Sequence, residues 1–215
     1  MPRPKPSDFD GVRLIQFAKW PEPGRVKTRL AADLGERGAL DAHIRLTGAV
    51  LDNLLATGLH VSFWWDRARP DDPSHATSIL HRLQAADVAQ RIQVGKDLGA
   101  RMSGALDAEL KQAGAAVIVG SDCPSVDAAY IAEAIRALAD DDVVLGPSDD
   151  GGFVLIGARR PLGPVLNGIA WGTDKALEQT RDALVEAGCR VHCLPARWDV
   201  DTLADWQRFL DSRRP

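Results

Sequence analysis

Apolar residues along the chain fall into two patterns that alternate from end to end. Val12 to Lys19 (VRLIQFAK) is a short run of branched and aromatic side chains and predicts a buried strand. From about Leu40, the positions Leu40, Ile44, Thr47, Leu51, Leu54 and Leu55 recur at helical spacing and predict a helix, closed by Gly58 in a left-handed cap. His60 to Trp65 (HVSFWW) predicts a second strand, followed by a Pro/Asp turn, a helix from Ser74 to about Ala89 and a brief strand from Arg91 to Val94. Leu98, Met102, Ala105, Leu106 and Leu110 form an apolar stripe that stops at Gly114 and leads into the strongest strand pattern, Ala115 to Gly120.

Tyr130, Ile131, Ala134, Ile135 and Leu138 predict another helix, and Val143 to Leu145 and Phe153 to Gly157 two further strands. Thr173 stands where an N-cap would open the helix carrying Leu177, Leu184 and Val185, which Gly188 closes. A strand near Arg190 to Leu194 and a helix from Leu203 to Leu210 complete the series. Strands alternating with helical segments predict an α/β protein of three layers, α/β/α, on a mainly parallel sheet. Residues 1–11, with Pro2, Pro4 and Pro6, read as a flexible lead-in, and 12–215 as a single domain, because no repeat or low-complexity linker divides them.

Composition narrows the function. With 215 residues, 45% of them hydrophobic, the chain can bury a core that needs no disulfide or metal for stability, so a metal would serve chemistry. A net charge of −4 excludes binding to nucleic acid through bulk positive charge. The longest apolar run, Ala113 to Gly120, is far short of the ~20 residues that span a bilayer, and the start has no signal-peptide segment; no membrane partner and a cytoplasmic location are expected. Cys123, Cys189 and Cys193 are odd in number and unpaired in spacing, which predicts reduced thiols.

In a parallel α/β sheet, ligands bind beyond the carboxyl ends of the strands. The first strand is followed by KWPEPGRVKTR (Lys19 to Arg29), the strongest by GSDCPS (Gly120 to Ser125), the next by GPSDDGGF (Gly146 to Phe153) and the last by WDVDT (Trp198 to Thr202). One strand end is basic and three are acidic. A polyphosphate with a divalent metal fits between them, since cations neutralise phosphate oxygens while hard carboxylates hold Mg²⁺. Asp122 with one aspartate of the pair Asp199 and Asp201 would suffice, and spacing does not choose between the pair.

The segments FAKWPEPGRVKTRL (Phe17 to Leu30), DLGARM (Asp97 to Met102), GSDCPS, GPSDDGGF, Trp171-x-Thr173 and DVDT (Asp199 to Thr202) occur in one order along the chain. Together they resemble bacterial proteins of glycosyltransferase-A fold, the nucleotide-diphospho-sugar transferase superfamily, similar to 2-phospholactate guanylyltransferase and the molybdenum-cofactor nucleotidyltransferases. The resemblance implies that Asp122 and Asp201 hold Mg²⁺ or Mn²⁺, and that Lys27 and Arg29 bind a triphosphate with Lys19 and Arg25 as helpers. It further implies that Leu98, Gly99 and Arg101 contact base or ribose, and that Asp150, Gly151 and Gly152 face the second substrate. The first loop departs from the G-x-G-x-x-R-M run of many sugar nucleotidyltransferases and has only Gly24.

Plainer roles compete. Gly24-Arg25-Val26-Lys27-Thr28 is too short for a P-loop. Asp150 before two glycines also suits a hairpin turn, and Trp171 serves as core as readily as a ligand wall. Cys123 has no histidine near it to activate a nucleophile, and Cys189, His192 and Cys193 lack a fourth zinc ligand. The leading expectation is transfer of a nucleotidyl group from a nucleoside triphosphate to a small phosphorylated acceptor, releasing pyrophosphate. Glycosyl transfer from a nucleotide-sugar and nucleotide binding without turnover are the alternatives; homo-oligomerisation stays open.

Overall fold

Leu14 and Ile15, neighbours on the first strand, belong to two separate hydrophobic cores, and so do Val117 and Ile118 on the central one. Successive side chains of a strand point to opposite faces, so a sheet whose strands are apolar throughout must be covered on both sides. The structure, a computed structural model, describes residues 11–214. The expected lead-in lies outside the described residues except for Gly11.

The elements are β1 (Val12–Ala18), α1 (Thr28–Leu55), β2 (His60–Trp65), α2 (Thr77–Ala85), β3 (Ala89–Ile92), α3 (Leu98–Leu110) and β4 (Ala115–Gly120). They are followed by α4 (Ala128–Asp140), β5 (Val143–Pro147), β6 (Phe153–Ala158), α5 (Ala176–Glu186), β7 (Val191–Cys193) and α6 (Leu203–Ser212). One seven-stranded sheet has the order β3-β2-β1-β4-β6-β5-β7. All neighbours are parallel except that β6 runs antiparallel to both β4 and β5. That reversal puts the start of β6 at the same edge as the carboxyl ends of β1, β4 and β5. Helices α1, α2 and α4 pack on one face, α3 and α5 on the other. Helix α6 folds onto α1 through Leu30, Leu46, Trp206 and Phe209.

Four features differ from the expectation. The first helix begins at Thr28, not near Leu40, because Gly35 (φ 69°, ψ 168°) breaks it into two stretches and interrupts the apolar periodicity. The helix expected over Ser74–Ala89 is a 3-10 turn at Ser74–Ala76 and a helix that ends at Ala85, and the strand expected at Arg91–Val94 is Ala89–Ile92. Pairing with β2 (Ser62 beside Ala89, Trp65 beside Ile92) sets that register, whereas Val94 lies 76% exposed beyond it. Thr173 does not cap α5: its hydroxyl donates to Ala170 O at 2.7 Å, and the helix starts only after Lys175.

Candidate active site

Three chain segments meet at the carboxyl edge of the sheet. β4 delivers Ser121 and Asp122, and Ser121 Oγ donates to Phe17 O at 2.7 Å while accepting from Gln16 Nε2 at 3.0 Å. These buried bonds lock the ends of β1 and β4 together. After β7 the chain crosses back over the edge: Tyr130 Oη donates to Pro195 O at 2.8 Å, Ser125 Oγ to Trp198 O at 2.5 Å, and Val200 N to Asp122 O at 3.0 Å. Val200 is fully buried in the cluster between α1 and α6. In an extended segment the residues on either side share the opposite face, so burying Val200 turns Asp199 and Asp201 together toward Asp122. Carboxylate oxygens of the three aspartates lie within 4.8 Å of one another. The sequence left Asp199 and Asp201 as alternatives; the fold brings both.

The third segment is the basic loop. Lys27 precedes α1 in a left-handed conformation (φ 46°, ψ 46°) that a non-glycine residue adopts only when its surroundings enforce it. Its ammonium donates to Asp122 Oδ2 and Asp201 Oδ1, each at 3.0 Å, and to Val200 O at 2.5 Å. Arg29, the second residue of α1, donates to Asp201 Oδ2 at 2.9 Å. Burial disfavours the charge on Lys27, but the two carboxylates outweigh it and raise its pKa. Burial likewise opposes ionisation of Asp122, yet the Lys27 ammonium holds its carboxyl below the usual value. Asp199 has no such partner: burial, then the charges of Asp122, Asp201 and Asp150, push it up to about 7.

One buried cation among three carboxylates leaves a local shortage of positive charge, and an all-oxygen donor set is the chemistry of a hard divalent cation. The residues therefore fit a hard divalent cation such as Mg²⁺ or Mn²⁺, which Asp122, Asp199 and Asp201 could hold. A pH dependence follows. An unfolded Asp199 ionises near 3.9 and the folded one near 7, so the folded state binds the extra proton between these values and loses stability as pH rises through them. We expect the metal-free protein to melt at a lower temperature at pH 7.5 than at pH 5.5, and Mn²⁺ to lift the pH 7.5 value more. Melting curves that do not separate with pH in wild type, or separate equally in Asp199→Asn, contradict this assignment.

Beside the carboxylates lies a cleft of about 410 Å³ whose walls include Lys19, Arg25, Arg29 and Arg101. Leu98, Lys27, Asp122 and Asp201 also line it. Arg25 is paired with Glu22 at 3.2 Å, and Lys27 and Arg29 with the aspartates, whereas Lys19 and Arg101 make no ion pair among the described residues. Asp66 and Gln93, which follow β2 and β3, line the cleft as well. Neither belongs to the basic and acidic segments that stand out in the sequence, although both lie where ligands bind, at the carboxyl ends of strands.

A second cleft, about 220 Å³, adjoins the first and shares Phe17, Leu98 and Gly120 with it. Asp150, Gly152 and Trp171 line it. Asp150 serves its hairpin too: Oδ1 accepts from Gly152 N at 3.0 Å and from Ser148 Oγ at 2.5 Å. Gly99 and Gly151, expected beside ligands, line neither cleft. A Cβ on Gly99 would stand 2.1 Å from Leu166 O, and one on Gly151 2.2 Å from Asp174 O, so both glycines allow close backbone approach. Cys123 is buried, and burial raises its thiol well above the ordinary value, as in an inert core cysteine.

A mainly parallel seven-stranded sheet with a basic loop, a carboxylate trio and a bipartite cleft at one edge is an α/β fold matching that of nucleotidyltransferase and nucleotide-diphospho-sugar transferase structures. The chain belongs to the family described as "Uncharacterized protein conserved in bacteria (DUF2064)", which matches residues 54–173. Among solved structures, it is similar to a candidate nucleotide-diphospho-sugar transferase from Desulfovibrio desulfuricans G20 at 29% identity, covering 90% of this chain and 83% of that one, with a TM-score of 0.77. It shares its fold with CMP:2-keto-3-deoxy-manno-octonic acid synthetase complexed with CTP (13% identity, 94% of this chain, 98% of that one, TM-score 0.57). It likewise shares the fold of Rv0371C from Mycobacterium tuberculosis H37Rv in complex with manganese (20% identity, 94% and 98%, TM-score 0.55). No curated protein matches the chain. Among the described residues no helix is long and apolar enough to cross a membrane.

Proposed function

We propose that the chain is a divalent-metal-dependent transferase that takes its donor from a nucleotide-sugar. The observation that carries this reading is the carboxylate trio of Asp122, Asp199 and Asp201 at one end of a cleft whose walls are cationic. The sequence favoured a triphosphate, because four cations stand in the first loop. In the fold, three of the four are already paired with carboxylates, leaving Lys19 of that loop and Arg101 of α3 for phosphate oxygens. Lys19 and Arg101 can meet the two phosphates of a diphosphate, with Lys27 and Arg29 beside them in the same cleft. The manganese held by Rv0371C supports the divalent metal, and the name of the Desulfovibrio protein supports the nucleotide-sugar.

When bound, a divalent cation would supply charge neutralisation of the diphosphate as it departs. The chain's own groups do the rest. Lys19 and Arg101 orient the diphosphate, and Asp150, in the second cleft, accepts the proton of an acceptor hydroxyl. The hydroxyl oxygen bonds to the sugar's anomeric carbon, the bond from that carbon to the diphosphate breaks, and the nucleoside diphosphate leaves with the electron pair.

Nucleotidyl transfer to a phosphorylated acceptor, which the first loop's resemblance to 2-phospholactate guanylyltransferase favours, would instead release pyrophosphate from a triphosphate. Product analysis with Mn²⁺ separates the two. In the same preparation, saturating nucleotide-sugar at about 100 times its Kd is expected to stabilise the protein by about 2.7 kcal/mol, roughly 5 to 10 °C, only when Mn²⁺ is present. Pyrophosphate as the product, or a nucleoside triphosphate stabilising the protein when nucleotide-sugars do not, overturns the proposal.

A further inference from the structure

The second cleft differs from the first in its chemistry. Its walls are the side chains of Phe17, Met102, Phe153, Leu155 and Trp171, together with the glycine-rich turn before β6. Among the described residues no lysine or arginine lines it, and the one charged group there is the carboxylate of Asp150. Trp171 stands edge to face with Phe153, ring centroids 6.0 Å apart, and its Cζ2 lies 3.0 Å from where a Cβ on Gly99 would stand. Its buried Nε1 finds no acceptor among the described residues, so packing alone positions the indole.

We propose that this cleft binds the acceptor, and that the acceptor is a small uncharged alcohol with an apolar or aromatic face, not a phosphate ester. The inference rests on the transferase reading above and adds the class of its second substrate. A phosphate monoester entering here would lose hydration against aromatic walls, find no cation, and face the Asp150 carboxylate. A neutral alcohol loses little. Its apolar face lies against Trp171 and Phe153, and its hydroxyl donates to Asp150 Oδ2, which has no hydrogen-bond partner among the described residues. At about 220 Å³ the space is smaller than the range of drug-sized pockets, from about 300 Å³ upward, so the acceptor is a compact molecule. Continuity through Phe17, Leu98 and Gly120 places it beside the donor cleft.

Benzyl alcohol and benzyl phosphate form a matched pair of probes. Ligand-observed NMR on the wild-type chain with Mn²⁺ replaced by Mg²⁺ is expected to show at least tenfold tighter binding of benzyl alcohol. Trp171→Ala should weaken the alcohol about tenfold. Because that change also removes packing, Thr173→Trp, at an exposed position on the rim, provides the second variant and should block the cleft by filling it. Benzyl phosphate binding as tightly as the alcohol, or alcohol binding that neither variant changes, overturns the proposal. Binding of uridine diphosphate to the first cleft, measured by calorimetry on the same samples, keeps the two readings apart. Loss of nucleotide binding with alcohol binding at Trp171 intact rejects the transferase and spares the cleft's preference; the converse rejects the preference alone.

Discussion

Asp122→Asn and Asp201→Asn should each weaken Mn²⁺ binding by more than about 100-fold, measured by calorimetry or by the loss of the free-ion EPR signal. Changing a residue that merely orients a metal ligand costs roughly 10- to 100-fold in affinity, and a carboxylate that holds the ion costs more. Lys27 makes the expected pattern more specific. With either aspartate gone, its ammonium keeps one carboxylate partner and the charge shortage around Asp199 shrinks, so both variants should also lower the pH at which Asp199 ionises. Asp182→Asn, at an exposed ion pair with Arg181, serves as the control and should leave Mn²⁺ affinity unchanged. Wild-type affinity in both Asp122→Asn and Asp201→Asn would remove the metal site from this account.

The second large effect concerns stability. Gly99→Ala should cost about 3 kcal/mol and lower the melting temperature by roughly 6 to 12 °C, because its Cβ would stand 2.1 Å from Leu166 O and backbone there cannot yield as a flexible side chain does. The same atom would lie 3.0 Å from the Trp171 ring, so the second cleft should lose its shape while the first keeps its nucleotide affinity. Resemblance implies a base or ribose contact for Gly99, which predicts the opposite: little change in melting temperature and weaker nucleotide binding. Thermal denaturation together with nucleotide titration of this one variant decides between packing and contact.

Most of the fold was legible in the sequence. β2 and β4 fall where the unbroken apolar runs place them, and α3, α4 and α6 follow their apolar stripes to within a few residues, since burial on one face or on both leaves its period in the chain. What failed had a local cause. A glycine at position 35 hid the first helix's opening turn, strand pairing and not hydrophobicity placed β3, and Thr173 spends its hydroxyl on a turn. The antiparallel β6 was equally out of reach, because a buried strand reads alike in either direction.

The candidate site divides in the same way. By itself the sequence determined that a basic segment and three acidic ones follow strands, and hence that they gather at one edge of a parallel sheet. Only the tertiary structure decided how those charges are distributed. Burying Val200 between α1 and α6 turned Asp199 and Asp201 to one side, and the left-handed turn at Lys27 carried its ammonium into the carboxylates. Side-chain type and spacing along a strand are local properties and survive in the sequence. The pairing of one particular cation with one particular anion, as of Lys27 with Asp122 and Asp201, depends on contacts between residues 95 and 174 positions apart, and no local pattern records it.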